Sequence, residues 1–212
     1  MTAPARLYLL TPKITDAVAF GPQLDAALET GTIACVLLSL SLAPGADTKK
    51  AARALAEIAQ ARDAALLVEN DPQLVMRANA DGAHISDAGD ALAEALAALR
   101  PAKIVGAGAL RTRDAAMSAG EAGSDYVMFG EPARDGYVPP FAQTLERAQW
   151  WAQIFSVPCV AYAQSAAEAG ALAQAQCEFI AVGAPVWADP RGIAAALADI
   201  DAAVRAFPLT QA

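Results

Sequence analysis

Carboxylates and a single imidazole gather where short apolar runs stop. Asn70-Asp71 closes the run 65–69, Asp81-Gly82-Ala83-His84 follows it, and Asp87 and Asp90 come soon after. Carboxylates at neighbouring strand ends could hold Mg²⁺, a hard cation that takes oxygen ligands and commonly bridges to a diphosphate. Asp71 and Asp90 are therefore candidate metal ligands. They also have a plainer reading, with Asp71 an N-cap ahead of Pro72 at the first helical position and Asp90 the cap of the next helix. His84 is the only histidine of the chain. It could shuttle a proton, but no nucleophile or second histidine accompanies it. Packing with one hydrogen-bonded nitrogen is the simpler expectation. The Asp81-Gly82 step reads as a helix-to-strand turn in which glycine relieves the backbone.

The elements that must position these groups alternate along the whole chain. Apolar runs at 7–10, 34–40, 65–68, 83–85, 104–106, 126–129, 159–161 and 179–182 read as strands. Helical patterns lie near 16–30, 46–62, 72–79, 90–99, 112–122, 141–155, 165–175 and 189–206. Strict strand–helix alternation means a parallel sheet, and eight such pairs are the number that closes a (β/α)₈ TIM barrel. An open doubly wound sheet is the alternative, but no GxGxxG follows the first strand. Ser165 with Glu168 makes a capping box, and Asp189 with Pro190 reads as a cap and first helical residue. No linker divides the chain, so 1–212 reads as one domain. The longest loop is expected at 130–140, after the sixth strand.

Composition narrows the function classes. The chain is 56% hydrophobic, yet no apolar run reaches the roughly 18 residues of a membrane helix. The start of the chain lacks a basic region followed by a cleavage site, which points to the cytoplasm. A net charge of −8 argues against nucleic acid and anionic membranes as partners, leaving a small-molecule ligand. The apolar composition leaves room for a homodimer. Cys35, Cys159 and Cys177 lack CxxC spacing and read as buried thiols.

Five landmarks in order are similar to those of the thiamine-phosphate synthase family, which includes the related thiazole tautomerases. They are Leu7-Tyr8-Leu9-Leu10-Thr11 for the opening strand, Asn70-Asp71 for the family's Asn-Asp-Arg, and Asp81-Gly82-Ala83-His84-Ile85 for its Asp-Gly-Val-His-Leu. Asp125-Tyr126-Val127-Met128-Phe129-Gly130 matches strand six and Val157-Pro158-Cys159-Val160-Ala161 strand seven. The resemblance implies a barrel with its site at the C-terminal strand ends. It implies a transferase that joins a pyrimidine methyl diphosphate to a thiazole phosphate and expels Mg-bound diphosphate. Such a step needs cationic and backbone donors for the departing charge.

Against that family the chain departs at the phosphate contacts. The Gln-x-Arg-x-Lys triplet of strand two corresponds to Leu37, Ser39 and Ser41. Pro72 stands for the arginine after Asn-Asp. The Ser-Thr-His after strand five corresponds to Ala109-Leu110-Arg111, so the tautomerase histidine is an arginine, which cannot lose its proton. The threonine-lysine pair expected after strand six is missing from 131–140. Tyr162-Ala163 replaces the Gly-Gly pair after strand seven. Gly183 survives after strand eight, but Pro185 deletes an amide donor nearby. The rim cations reduce to Lys13, Arg111, Arg113 and Arg134, against Glu69, Asp71, Asp87, Asp90, Glu131 and Asp135.

The resemblance thus makes Asn70, His84, Arg111, Tyr162 and Gly183 the substrate-binding positions and Mg²⁺ the cofactor, held by Asp71 and Asp90. The expectation is a protein of thiamine biosynthesis with lost or altered synthase activity and weak binding of Mg-diphosphate. A catalytically silent binding barrel, or an enzyme for a less phosphorylated heterocycle with Leu37, Ser39, Met128, Tyr162 and Trp187 lining an apolar pocket, are the alternatives. The Tyr162 ring should project over the mouth, its hydroxyl bonded to a carboxylate or water. Trp187 could be an aromatic platform or packing.

Overall fold

The structure, a computed structural model, describes residues 3–133 and 136–210. Its strands are β1 (Arg6–Ile14), β2 (Ile33–Leu40), β3 (Ala65–Glu69), β4 (Gly82–Ile85), β5 (Ile104–Ala107), β6 (Tyr126–Phe129), β7 (Cys159–Tyr162) and β8 (Phe179–Val182). All pair in parallel and in sequence, and β1 closes on β8 with Leu9 opposite Val182. This is a single (β/α)₈ barrel, not an open sheet. The helices are α1 (Ala17–Leu28), α2 (Thr48–Gln60), α3 (Pro72–Ala78), α4 (Asp90–Leu99), α5 (Arg113–Glu121), α6 (Phe141–Ile154), α7 (Ala166–Gln174), the short α8 (Ala184–Trp187) and α9 (Ile193–Arg205). Among the described residues no helix is long and apolar enough to cross a membrane.

Three local readings of the sequence need correction. β1 continues past Leu10 to Ile14, with a register shift between Leu10 and Lys13. Pro12 lies within that shift, where the ladder does not require its missing N–H. Asp189 caps no helix. Its carboxylate accepts from the Arg191 amide at 2.8 Å, while α9 starts at Ile193 after Gly192 at φ 98°. The strand-to-helix connection instead holds α8, too short to leave a periodic signal. Ser165 behaves as expected: its hydroxyl accepts from the Glu168 amide, and Glu168 accepts from the amide of Gln164.

Two apolar layers result. Outward strand residues such as Leu9, Val36, Leu66, Val105 and Ile180 are packed under the helices. Inside the barrel Tyr8, Cys35, Leu37, Leu67, Tyr126, Met128, Val160, Tyr162 and Ala181 form a second cluster. Ile104 of β5 packs against that cluster, and His84 of β4 stacks on Tyr126 within it. A Cβ on Gly106 would fall 1.9 Å from the Tyr126 ring, so the glycine is the space that ring fills.

Gly82 also differs from its sequence reading. The left-handed turn residue before β4 is Asn79, at φ 56°. Gly82 lies within β4, where a Cβ would meet the backbone oxygen of Ile104 at 2.1 Å. Its requirement is close approach of two strands. Gly82→Ala should therefore cost about 1–3 kcal/mol of stability, as overpacking does. Urea unfolding measures this, and a cost below about 0.5 kcal/mol would show that β4 and β5 can move apart freely.

Candidate active site

Hydrogen bonding links the interior to the barrel mouth. Tyr8 on β1 and Tyr126 on β6 join hydroxyl to hydroxyl at 2.8 Å, and the Tyr126 hydroxyl lies 2.8 Å from His84 Nδ1. His84 stacks on Tyr126 with the ring planes 14° apart. All three side chains are buried. Burial pushes the His84 imidazolium down to about 4, so the ring is neutral near pH 7, and it lifts both phenols well above their usual range. The packing expected of His84, with one bonded nitrogen, is what the structure shows. Its Nε2 is buried without a hydrogen-bond partner among the described residues.

Gly108 explains what surrounds that nitrogen. A Cβ there would stand 2.3 Å from His84 Nε2 and 2.4 Å from Glu131 Oε1, so both polar atoms border one small volume. Glu131 follows β6 and accepts a hydrogen bond from the Ala109 amide, which a left-handed Ala109 at φ 54° presents. Burial pushes the Glu131 carboxyl up to about 7, with the Ala109 amide opposing and Glu69 adding to the rise.

Two adjoining clefts open at this end of the barrel. The first, about 770 Å³, is lined by Lys13, Leu37, Ser39, Asn70, His84, Tyr162, Gly183 and Trp187 among others. The second, about 590 Å³, includes Arg111, Tyr137, Gln143 and Arg147. Glu69, Ser86, Glu131, Pro132 and Ala133 line both. Arg147 on α6 donates to the carbonyls of Leu110 and Arg111 and so holds the loop that carries Arg111.

The expected site residues divide accordingly. Asn70, His84, Tyr162 and Gly183 line the first cleft and Arg111 the second. The Asn70 side chain accepts from the Ser86 amide at 2.8 Å, bracing the loops after β3 and β4. Asp71 is the N-cap of α3, accepting from Leu74 at 2.9 Å with Pro72 in the first turn. Asp90 occupies the first turn of α4 behind Gly89 at the cap, so its side chain is not the cap expected of it. Neither aspartate lines a cleft. Among the described residues no three His, Cys, Asp or Glu side chains gather as a ready-made metal site.

The rim cations are fewer than expected. Arg113 pairs with Glu146 at 2.7 Å and lies over the Trp150 ring, away from both clefts. Arg134 and Asp135 lie outside the described residues. Tyr162 points into the barrel as expected. Burial raises its phenol, with the Ala184 backbone opposing and Glu168 adding to the rise. Ala184 opens α8, and Pro185 after it has no amide donor. Trp187 donates to the Leu10 carbonyl at 2.7 Å and packs on Phe20, which settles it as a packed wall of the cleft.

Glu131, Tyr8 and Tyr126 were not singled out for roles in the sequence. The available signal was the glycine pair Gly106 and Gly108, two residues apart at the end of β5 and just after it.

Comparison with known proteins points one way. A family model described as thiamine monophosphate synthase matches residues 7–186. The chain is 40% identical over 202 residues to a thiamine-phosphate synthase of Rhodospirillum centenum, covering 94% of this chain and 98% of that protein. It is 35% identical to one from Erythrobacter litoralis, covering 92% and 95%. Among solved structures, a thiamine phosphate pyrophosphorylase from Pyrococcus furiosus superposes with a TM-score of 0.79 at 20% identity over 96% of each chain, a likeness of fold.

His84 and Glu131 make opposite demands on stability. His84 is held below its unfolded value of about 6.5, so its contribution is whole above that pH and lost as pH falls through about 4. Glu131 is raised from about 4.3, so its contribution is lost as pH rises toward and through about 7. Their slopes oppose between about 4.5 and 6.5. Glu131→Gln leaves the His84 slope alone, and its melting temperature should climb relative to the parent from pH 4.5 to 7. A constant difference between the two proteins would mean that Glu131 titrates as an ordinary surface carboxylate.

Proposed function

The chain belongs to the thiamine-phosphate synthase family, and from that premise we propose that it is a transferase of thiamine biosynthesis with an altered phosphate grip. In this reading it joins a pyrimidine carrying a diphosphate leaving group to a thiazole phosphate in the barrel mouth. The observation that carries it is the pair of connected clefts. One has an apolar floor suited to a heterocycle, and the other has Arg111 on a loop braced by Arg147. Arg111 would meet phosphate charge there, because Leu37, Ser39 and Ser41 supply none from β2. The partner is a small molecule and the place of action the cytoplasm.

Mg²⁺ fits this reading as a companion of the diphosphate. It keeps several waters and asks the protein for only one or two carboxylates. Asp71, exposed at the start of α3, and Asp90 in the first turn of α4 would hold it. When bound, it would neutralise charge on the departing diphosphate. The protein's own part is to seat the rings against Leu37 and Trp187, exclude water from the dry interior, and hold the pyrophosphoryl end near Arg111.

A second reading, a silent binding barrel, is favoured by one observation. Tyr162 is buried at the end of β7 and lines the first cleft beside Gly183, where it fills space through which a phosphate would approach backbone amides.

Turnover of the two family substrates by purified protein, with rescue of a strain lacking thiamine-phosphate synthase, separates the readings. Measurable turnover with KM raised by at least about tenfold in Arg111→Ala is expected, the loss of one charge-assisted hydrogen bond. Lys50→Ala, on exposed α2, should leave it unchanged. Absence of both turnover and rescue would favour the silent barrel. Asp71→Asn keeps the helix cap, since asparagine caps as well as aspartate. It should nonetheless raise the Mg²⁺ needed for half-maximal turnover, and an unchanged requirement would remove Asp71 from the metal's ligands.

A further inference from the structure

We propose that Glu131 and His84 together form a hydrogen-bonding site for the edge of a planar, uncharged heterocycle that carries a donor beside an acceptor, as a lactam does. The inference deepens the reading of the cleft as a substrate site, but it does not require turnover.

Four observations converge on it. His84 lines the first cleft, and its buried Nε2 has no hydrogen-bond partner among the described residues, so a ligand that reaches it satisfies a group whose isolation is costly. Its other nitrogen is already held by Tyr126, and through it by Tyr8, which fixes the ring plane. Glu131 Oε1 is anchored by the Ala109 amide, which aims the carboxyl at the shared volume beside Gly108. The same carboxyl lines both clefts, so a ring seated in either meets it.

The chemistry of the pair selects the ligand edge. A protonated carboxyl gives one hydrogen bond through its O–H, and a neutral imidazole nitrogen takes or gives one, according to tautomer. Two hydrogen bonds in opposite senses match an edge that holds an acceptor next to a donor. A ligand anion is disfavoured here, because Glu69 from β3 adds negative charge and the interior around Tyr126 is apolar. The groups that face Glu131 are Glu69 from β3, His84 from β4, Arg111 from the loop after β5 and Arg147 from α6, with Lys13 of β1 across the first cleft. Since the Glu131 carboxyl loses its proton near about 7, such a ligand should bind at pH 6 and be released toward pH 8.

The experiment uses 2-pyridone, a neutral lactam, and N-methyl-2-pyridone, which lacks the N–H donor. His84 is the only histidine, so the ¹⁵N resonances of its imidazole identify themselves in labelled protein. Titration at pH 6 is expected to move the Nε2 signal saturably with 2-pyridone and at least tenfold more weakly with the N-methyl compound. Between pH 6 and pH 8 the affinity should fall about tenfold, one decade for one pH unit above the carboxyl's midpoint. Glu131→Gln, which offers a donor and an acceptor without titrating, should bind within threefold of the parent at pH 6 and lose the pH dependence. Glu131→Leu should weaken binding at least tenfold. Equal binding of the two pyridones, no binding of either, or a flat pH profile in the parent overturns the proposal, and none of these needs the leucine variant to fold. Failure of synthase turnover leaves it standing, because the measurement follows binding alone.

Discussion

The barrel mouth depends on the absence of a side chain at Gly106 in β5 and at Gly108 just after it. At Gly106 the Tyr126 ring stands where a Cβ would be, and at Gly108 the His84 and Glu131 polar atoms do. Any residue with a Cβ at Gly106 would displace the ring that holds His84 Nδ1. The imidazole would then lose its orientation, and Tyr8 would lose the partner of its hydroxyl. Cores respond to one methylene because they are packed like crystals. Here the tolerance is smaller still, since the atoms concerned also form the hydrogen-bonded chain.

Dryness follows from that packing, and it sets the protonation states. Leu37, Met128 and Tyr162 join Tyr126 in one apolar cluster. Removing water disfavours charge of either sign, which lowers His84 and raises Glu131. The inward residues of β2 belong to the same balance. Leu37 is buried in that cluster, and a polar amide in its place would need partners that the cluster does not offer. Ser39 stands further out, with its backbone amide bonded to the Thr11 hydroxyl. An apolar Leu37 on β2 and a neutral His84 both accord with one apolar interior.

What the sequence made legible was periodic or covalently local. Eightfold alternation announced the barrel, and Asp71-Pro72 and Ser165 announced helix starts, because such caps act within three residues. Asn70, His84, Tyr162 and Gly183 could be placed at one cleft because strand ends converge in this architecture. Features built from distant segments were hidden. Glu131 acquires its role only when β5 and β6 lie side by side, and Gly82 is required by Ile104 on the neighbouring strand. Cys159 and Cys177, far apart in the chain, bring their sulfurs within 3.6 Å. Asp189-Pro190 misled because an aspartate turn and a helix cap share the same residue types. Arg113 looked like a rim cation until Glu146 and Trp150, both on α6, were seen to hold it.

Two opposing pressures meet at the end of β7. An open backbone there would let amides approach a phosphate, which charge stabilisation of a departing anion favours. Tyr162 instead stands in the space beside Gly183, and Pro185 in α8 offers no amide. Among the described residues, Lys13 lines the first cleft and Arg111 and Arg147 the second. Filling the space also keeps water out of the interior. In a low-dielectric cleft each satisfied hydrogen bond is stronger and each unsatisfied one more costly. A tyrosine at that position therefore replaces an open approach to backbone amides with an apolar wall, against which a ring packs more readily than an anion.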